Sequence, residues 1–467
     1  MSVSEPRPAA PGRVGNILVW SLIVVLSLLF AALTVYQVLG RDRSVVNEAR
    51  VKELAKASTP PAHAGGSLDW PQWRGPNRDG VSTETGLLAE WPEDGLRVLW
   101  SQKTGVGYSS VTVANGCACT MVQDGDGEAI VCWDAETGVE RGRFTYDAKF
   151  SHPYGGGPRS TPSLDENRIY AVGATGIMTC LEWSDWRSKQ RRGLDAVWTK
   201  DLKEEFGSRP LEWGVAFSPL IEKDLVFVMP GGPDGQSLAA LNKETGDVVW
   251  KAFDDLPSYS SPVAADLAGT RQILFLTEQR LIGVEPATGR LLWDFPWGPT
   301  GTHAPTNITT PLVIHTDVGD YVFISSGYDK GCALIKIEKD GDRFRTAQVY
   351  HNRNLTSTFA TSVRWGDYLY GFDDVFLTCL DWRTGKRQWK ERGFGKGSVT
   401  IADGRLIILS DDGELALAET NPDEYQEISR FRHSKQPSSW SVPVVANGRL
   451  YVRDLSRMVC YDLKKSP

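Results

Sequence analysis

The stretch Leu281–Trp293, LIGVEPATGRLLW, combines a small residue, a Thr-Gly pair and a closing tryptophan. Leu238–Trp250, LAALNKETGDVVW, repeats this order, and Ala129–Gly138, AIVCWDAETG, repeats it as far as the Thr-Gly pair. Glycine supplies the positive φ that a tight hairpin needs, so each stretch predicts two antiparallel strands joined at the Thr-Gly turn. Such units recur roughly every 40 to 50 residues, a period typical of propeller blades.

The closing aromatic residue recurs eight times along the chain. The eight positions are Trp100, Phe144, Trp198, Trp250, Trp293, Tyr350, Trp389 and Phe431. Ser or Thr opens the strand that follows, often with Pro beside it, as in Ser160-Thr161-Pro162. Proline is tolerated there because the first residue of a strand need not donate to the ladder. The pattern predicts an all-β fold, an eight-bladed β-propeller of four-stranded antiparallel blades.

The two ends of the repeat region predict how the ring closes. The last unit, Val442 to Leu463, stops after its third strand and has no closing aromatic. The strand near 97–101, which contains Trp100, precedes the first unit and is expected to complete the last blade. Closure of this kind leaves only short, protected strand edges. The predicted propeller spans residues 69–467.

The N-terminal region is expected to attach the propeller to a membrane. Residues 1–16 read as a short tail, and 17–39 as a transmembrane helix, because this run is uncharged and long enough to cross a bilayer. Residues 40–68 are expected to form a juxtamembrane helix and a flexible linker. Basic residues follow the span more often than they precede it, which by itself favours a cytoplasmic propeller.

However, the charges that flank a membrane span have little influence on which side of the membrane a long domain occupies. Together with the family resemblance given below, this leads us to expect a single-pass protein of the cytoplasmic (inner) membrane with a periplasmic propeller. The formal net charge of −7 and a pI near 5.6 argue against a nucleic-acid partner. The basic run Arg187–Arg192 is interpreted as a solvated insertion in the second blade.

The cysteines are interpreted as small core residues. Four of the seven share one repeat position: Cys132, Cys180, Cys379 and Cys460. Other units have Ala240 or Gly283 there, so the position demands a small buried side chain, which a free thiol satisfies. Cys117 and Cys119 alternate on one strand and lack the spacing of zinc, redox or haem sites. No metal site is predicted.

The loops from each outer strand to the next inner strand are expected to gather on one face of the ring and to carry any binding site. The candidate residues are Tyr154, Arg159, Trp213, Tyr259, His303, Asn307, Lys396 and Trp440. Aromatic walls with a few convergent polar groups are typical of ligand sites, although loops are generally polar. Gly155–Gly157 would allow close backbone approach, and Arg159 could direct its guanidinium into the channel.

The repeats resemble the pyrroloquinoline quinone (PQQ) repeat, which has a small residue, Leu-Asp, Thr-Gly and a distal Trp. The opening Asp69–Ser82, DWPQWRGPNRDGVS, and Tyr154–Leu164, YGGGPRSTPSL, are similar to a bacterial group of membrane-anchored or secreted PQQ-binding-like propellers. That group is related by fold to quinoprotein alcohol dehydrogenases and to the propeller lipoprotein that helps to assemble outer-membrane proteins. A shared fold does not choose between enzyme and scaffold.

The resemblance implies that an active dehydrogenase would hold quinone and calcium with adjacent disulfide-bonded cysteines, a stacking Trp, acidic and Asn calcium ligands and an Asp base. The sequence contains no Cys-Cys pair, so no catalytic residue and no cofactor are assigned. The leading hypothesis is a membrane-anchored binding or scaffold module for a protein, peptide or glycan partner. The alternatives are a PQQ-dependent oxidoreductase for alcohols or sugars, with calcium, and a purely architectural module.

Overall fold

The computed structural model describes residues 26–27, 45–58, 68–183, 193–298, 307–436 and 439–465. Residues Met1–Val45 and Val46–Pro467 form separate units. The predicted span 17–39 lies outside the described residues except for Leu26 and Ser27, which are helical. No helix among the described residues combines the length and the apolar character needed to cross a membrane.

Eight antiparallel sheets confirm the predicted propeller, and we number the blades in chain order. Blade 1 consists of β3 (Thr112–Ala114), β4 (Cys117–Asp124), β5 (Gly127–Asp134) and β6 (Glu140–Asp147), and blade 2 of β7 (Ser163–Asp165), β8 (Arg168–Val172), β9 (Ile177–Trp183) and β10 (Leu194–Asp201). Blade 3 consists of β11 (Leu220–Glu222), β12 (Leu225–Val228), β13 (Leu238–Asn242) and β14 (Val248–Ala252), and blade 4 of β15 (Val263–Leu267), β16 (Thr270–Leu276), β17 (Arg280–Val284) and β18 (Leu291–Pro296). Within each blade the strands run in order from the channel outward.

Blades 5 to 7 continue the same pattern. Blade 5 consists of β19 (Leu312–Thr316), β20 (Gly319–Ser326), β21 (Gly331–Asp340) and β22 (Arg343–Asn352). Blade 6 consists of β23 (Val363–Trp365), β24 (Tyr368–Asp373), β25 (Phe376–Asp381) and β26 (Lys386–Glu391), and blade 7 of β27 (Ser398–Ala402), β28 (Arg405–Leu409), β29 (Glu414–Glu419) and β30 (Glu427–Arg432). The sheet of blade 5 also contains a two-residue strand, β1 (Val45–Val46), which makes it five-stranded.

Blade 8 closes the ring as the sequence predicts. Its three inner strands are β31 (Val444–Ala446), β32 (Arg449–Arg453) and β33 (Arg457–Asp462). The outer strand is β2 (Val98–Lys103), in which Trp100 lies opposite Cys460. Strands from the two ends of the propeller sequence thus share one sheet.

The repeat residues hold neighbouring blades together. Five outer-strand tryptophans lie directly opposite the small repeat position: Trp100 opposite Cys460, Trp198 opposite Cys180, Trp250 opposite Ala240, Trp293 opposite Gly283 and Trp389 opposite Cys379. The Trp250 indole N–H also donates to the Pro286 carbonyl of the next blade, at 2.9 Å. A Cβ added to Gly289 of that blade would lie 2.5 Å from the Trp250 ring. The Thr-Gly turn therefore stays small because an aromatic ring packs against it.

Blade 1 departs from this arrangement and corrects one prediction. Phe144 lies opposite Ile130, and Gly142 takes the position opposite Cys132. Without a tryptophan over it, Cys132 forms a disulfide with Cys119, its cross-strand partner. The prediction that Cys132 is a free core thiol is wrong, whereas Cys180, Cys379 and Cys460 are free and buried as expected.

A short helix precedes the propeller. Helix α1 (Glu48–Leu54) begins at Asn47, whose side chain accepts a hydrogen bond from the Arg50 N–H. Two ion pairs fix the helix to blade 5: Arg50 contacts Glu338 at 3.0 Å, and Lys336 contacts Glu53 at 2.9 Å. Leu54 is fully buried. The part of the predicted linker between 59 and 67 lies outside the described residues.

Residues 69–82, which we name the plug, occupy the channel. They form hydrogen bonds with one residue on or beside the inner strand of each of blades 1 to 7. In blade order these residues are Val113, Leu164, Pro219, Pro262, Thr310, Thr361 and Ile401. Asp69 also accepts from Asn447, in the turn between the first two strands of blade 8. The plug thereby joins all eight blades, an arrangement that the sequence pattern alone does not indicate.

Candidate functional site

Strands in each blade alternate in direction, so the loops divide between two faces. Loops from an outer strand to the next inner strand share a face, here named the upper face, with loops from the second to the third strand. The turns that Asp69 contacts, at Asn115 and Asn447, belong to the opposite, lower face. The plug therefore enters from the lower face, and those predicted site residues that the structure describes lie on the upper one.

An open cavity of about 660 Å³ lies on the upper face at blades 3 and 4. Its walls come from three loops, 207–213, 231–234 and 254–259, together with Glu278 from the loop between β16 and β17. Five lining residues are acidic (Glu212, Asp234, Asp254, Asp255 and Glu278) and one, Arg209, is basic. The cavity is therefore electrostatically negative.

Glu278 is the most unusual residue of this cavity. It is 3% exposed, and its Oε2 has no hydrogen-bond partner within the described part of the chain. Burial raises the pKa of the Glu278 carboxyl to about 8, opposed by a hydrogen bond from the main-chain N–H of Asn307. A buried, unpaired carboxylate in a cleft is a recognised sign of a functional position. No sequence motif marks Glu278, because its burial arises from loops that meet only in the fold.

Two predicted residues, Trp213 and Tyr259, form the aromatic wall beside Glu278. Their ring centroids are 5.2 Å apart, and the Tyr259 hydroxyl accepts a hydrogen bond from the Trp213 main-chain N–H at 3.4 Å. Burial raises the pKa of Tyr259 to about 12. The Trp213 indole N–H is buried and finds no acceptor among the described residues. The wall thus offers an unused donor in the same cavity as the unused Glu278 oxygen.

The neighbouring acidic residue is compensated differently. Asp255 binds Arg280 through two hydrogen bonds of 2.8 Å, and Arg280 also donates to Asp294 at 2.9 Å. These carboxylates raise the pKa of Arg280 further above its ordinary range. The Arg280 guanidinium is consequently committed to two other carboxylates and leaves Glu278 without a cation.

Asn307 joins this group mainly through its main chain. Its carbonyl accepts from the Tyr259 N–H at 2.9 Å. Its side-chain amide donates to the Thr277 carbonyl at 2.7 Å and accepts from the Ser326 hydroxyl at 2.6 Å. Asn307 therefore positions the loops around Glu278. His303, the other candidate from this loop, lies outside the described residues.

Arg159 lies farther round the channel and folds back on its own loop. It donates to the carbonyls of Gly155, at 2.7 Å, and of Gly157. The guanidinium carbon stands 4.4 Å from the Phe150 ring centroid and 5.5 Å from that of Tyr108. Burial lowers the pKa of Arg159 to about 10, so it remains charged at neutral pH. Its hydrogen bonds stabilise the glycine loop.

Trp440 is stacked between two other rings. Its centroid lies 5.2 Å from that of Tyr108 and 4.8 Å from that of Phe359, with small interplanar angles. Lys396 places its ammonium 5.0 Å from the Phe359 centroid and 3.7 Å from Asp374. With both faces of the indole covered, this aromatic stack braces the upper face.

The structure thus divides the predicted site into groups. Trp213, Tyr259 and Asn307 surround Glu278, whereas Arg159, Lys396 and Trp440 belong to the second, aromatic cluster. Tyr154 stands 67% exposed above the rim. Arg159 has an electrostatic effect on Tyr259, so the two groups adjoin.

A second cavity, of about 470 Å³, lies between the plug and the inner strands of blades 3 to 5. Glu222 and Asp266 line it, and both are paired with Arg271, at 2.8 and 3.0 Å. Within the described ranges, no group of three or more His, Cys, Asp or Glu side chains has a geometry that could hold a metal ion.

Comparison with known proteins gives a family match over part of the propeller. A family model described as outer membrane protein assembly factor BamB matches residues 193–391, from the outer strand of blade 2 to that of blade 6. The resemblance read from the sequence is confirmed there. No curated protein matches the chain.

Solved structures share the architecture at low identity. BamB from Moraxella catarrhalis is 16% identical with a TM-score of 0.54, over 80% of this chain and 99% of that one. Sqt1 from Saccharomyces cerevisiae is 10% identical with a TM-score of 0.53, over 80% and 100%. Quinohemoprotein alcohol dehydrogenase from Comamonas testosteroni is 12% identical with a TM-score of 0.47, over 87% and 82%. At these identities the likeness concerns the fold alone.

The residues present do not reproduce the quinone site that the resemblance implies. The disulfide Cys119–Cys132 joins two strands inside blade 1, and both cysteines are buried. It therefore offers no counterpart to a pair of adjacent cysteines beside a ring. Trp440 has both faces occupied by Tyr108 and Phe359. We derive no chemical step through a quinone.

Proposed function

We propose that this protein is a membrane-anchored binding module on the extracytoplasmic side, and that its upper face binds an extended segment of a partner protein. The observation that carries the proposal is the open acidic and aromatic cavity, in which buried polar atoms of Glu278 and Trp213 have no partner among the described residues. Buried polar groups are normally hydrogen-bonded, so unused ones in a cleft favour a ligand that supplies the missing partners.

A polypeptide suits this face for two reasons. Tyr154, on another loop of the upper face, is 67% exposed, and aromatic residues are enriched in protein interfaces. The plug fills the channel from the lower side, so a long ligand would lie across the upper face. The matching family model carries the name of an assembly factor, which is consistent with a partner of this kind.

The extracytoplasmic location has support from the cysteines. Cys119 and Cys132 are paired in a disulfide, and disulfides persist mainly in oxidising compartments such as the bacterial periplasm. The uncharged run 17–39 remains the proposed anchor.

Binding can be tested on an array of short random-sequence peptides, with glycans printed beside them. The full-length protein should retain a subset of the peptides, and Trp213→Ala and Tyr154→Ala should abolish retention with little change in thermal stability. Val139→Ala is the matched control, because Val139 is 53% exposed but lies in the turn between β5 and β6, on the lower face. Retention of glycans alone, or of peptides equally by all variants, would contradict the proposal.

The enzymatic alternative has its own test. The same protein can be titrated with PQQ and calcium while the unfolding temperature is followed. Saturable binding at micromolar concentration, together with dye-linked oxidation of an alcohol or aldose, would favour the dehydrogenase. No response, together with selective peptide retention, is the result we expect.

A further inference from the structure

We propose, resting on the binding function above, that the upper-face cavity selects a cationic side chain, the ammonium of a lysine, in the bound segment. Glu278 would accept its charge, with Trp213 and Tyr259 enclosing its methylenes. The proposal names the chemical feature of the ligand that this cavity recognises.

The first argument is the imbalance of charge. Among the residues that line the cavity, carboxylates outnumber the single guanidinium, that of Arg209, which is exposed. The other nearby cations are engaged elsewhere: Arg280 by Asp255 and Asp294, and Arg159 by main-chain carbonyls. A cationic ligand therefore meets uncompensated negative charge.

The second argument is the state of Glu278. A buried carboxylate without a cationic partner is unfavourable, and an opposite charge within hydrogen-bond distance stabilises it. The Glu278 main chain is held by a hydrogen bond to the Leu256 carbonyl at 3.1 Å, so the residue is fixed in place. An ammonium supplies three donors, whereas an apolar side chain supplies none.

The third argument is the shape of the wall. The Trp213 and Tyr259 rings are inclined at 33° to each other beside the carboxylate. Aromatic faces attract cations and also cover the methylenes of a lysine. A side chain that is apolar along its length and charged at its end fits this sequence of surfaces.

The proposal implies that binding is coupled to pH. Glu278 accepts a hydrogen bond from the Asn307 main-chain N–H and acts electrostatically on Tyr259. The other charged groups of the same cavity are Arg209, Glu212, Asp234, Asp254 and Asp255, the last of which is paired with Arg280. With the pKa of Glu278 at about 8, the carboxyl is largely protonated at pH 6 and ionised at pH 9. A lysine ammonium keeps its proton throughout this range, since its pKa is near 10.4.

Cation binding should accordingly release the proton of Glu278 to solvent. Affinity should rise roughly tenfold per pH unit below pH 8 and level off above it. Tyr259 remains protonated over the same range because its pKa is raised to about 12. Glu278 is therefore the group expected to shape the curve.

The test uses the full-length protein and two small probes, Nα-acetyl-lysine amide and Nα-acetyl-norleucine amide, which differ mainly in the ammonium. Isothermal titration at pH 6, 7, 8 and 9 should show lysine-probe affinity rising by about 100-fold in all. Repetition in buffers of different ionisation enthalpy should show proton release below pH 8. The norleucine probe should bind more weakly, without pH dependence.

Glu278→Gln should abolish both the preference for lysine and the pH dependence, while Tyr259→Phe, which keeps the ring, should retain them. Equal affinity for both probes, pH-independent binding of lysine, or an unaltered Glu278→Gln variant would overturn the inference. If arrayed peptides bind without regard to lysine content, the binding function stands and this inference fails. If the lysine probe binds but no peptide does, the inference stands and the protein-binding function fails.

Discussion

Arg78 and Glu278 are both buried charges, yet the protein treats them in opposite ways. Arg78, in the plug, donates to the carbonyls of Ser218 at 3.2 Å and Pro262 at 3.0 Å, to that of Pro219, and to the Gln72 amide oxygen at 2.8 Å. Glu278, on the upper face, keeps an oxygen without a partner among the described residues. The Arg78 guanidinium thus satisfies buried carbonyl groups, whereas the Glu278 carboxyl keeps an unsatisfied oxygen.

This difference separates structural from functional burial of charge. Burial lowers the pKa of Arg78 to about 9, which still leaves it cationic at neutral pH, and its donors meet acceptors from blades 3 and 4. Burial raises the pKa of Glu278 to about 8, with only one opposing hydrogen bond. A ligand-binding site is expected to contain a buried charged group of this kind, whose desolvation is not offset until the ligand binds.

The largest expected effect is that of Arg78→Ala. The substitution leaves several buried carbonyls without donors and loosens the plug, so the free energy of unfolding should fall by about 4 kcal/mol. Chemical denaturation measures this loss directly. Arg209→Ala removes the same charge from an exposed position and should change stability by less than about 0.5 kcal/mol. Similar losses for both variants would show that the plug does not depend on its buried arginine.

Glu278→Gln should stabilise the protein by an amount that grows as the pH rises from about 4 to about 8. The folded-state pKa of about 8 lies above the ordinary value near 4.3, so wild-type stability is full below about pH 4 and falls as pH rises through 8. The amide of the Gln variant does not ionise, so the stability of the variant does not decrease with pH in this way. The difference should be near zero at pH 4 and about 5 kcal/mol at pH 9.

Denaturation curves of both proteins across this pH range test the sign as well as the size. A variant that is less stable than the wild type at pH 9 would mean that the carboxylate is compensated in the folded protein. The contrast with Arg78 would then disappear.

A pair of glycines tests the lower face at smaller amplitude. Gly289 has φ +71° and packs against Trp250, whereas Gly269 has φ +72° with open space around its Cα. Both Ala variants pay about 1 kcal/mol for the left-handed backbone. Gly289→Ala must also displace the ring and should lose about 2 kcal/mol more. Equal losses would exclude the aromatic contact between blades as a source of stability.

The fold could be predicted because most blades repeat some of the local signals that specify a blade. The Thr-Gly turns, the small position and the tryptophan opposite it are all visible in the sequence, and closure by β2 follows from the missing last strand. The Cys119–Cys132 pair escaped prediction because it depends on Gly142 replacing an aromatic across a β-bulge. Such a replacement is evident only once the strand register is known.

The site could be predicted only in part. Trp213 and Tyr259 were proposed from loop position alone, and in the fold their rings pack together on one wall of the cavity, since all loops of that class share a face. Glu278 lies in a short loop of the other class, and its burial depends on the loops that bring Leu256 and Asn307 against it. The plug was recognised as a family motif, but its place in the channel depends on contacts to all eight blades.

Apart from the Arg209→Ala control, the smallest stability effect is expected for Trp213→Phe, a substitution on the upper face. The indole N–H has no acceptor among the described residues, so its loss should change the free energy of unfolding by less than about 1 kcal/mol. If the donor is kept for a ligand, peptide retention should nevertheless weaken by about fivefold to tenfold, the value of one hydrogen bond. Trp293→Phe is the matched comparison, because the Trp293 indole donates to Gln272 at 2.6 Å inside blade 4. Trp293→Phe should lose stability and keep its peptide affinity. If instead Trp213→Phe loses stability and keeps its peptide affinity, the Trp213 indole has a structural role and does not bind the ligand.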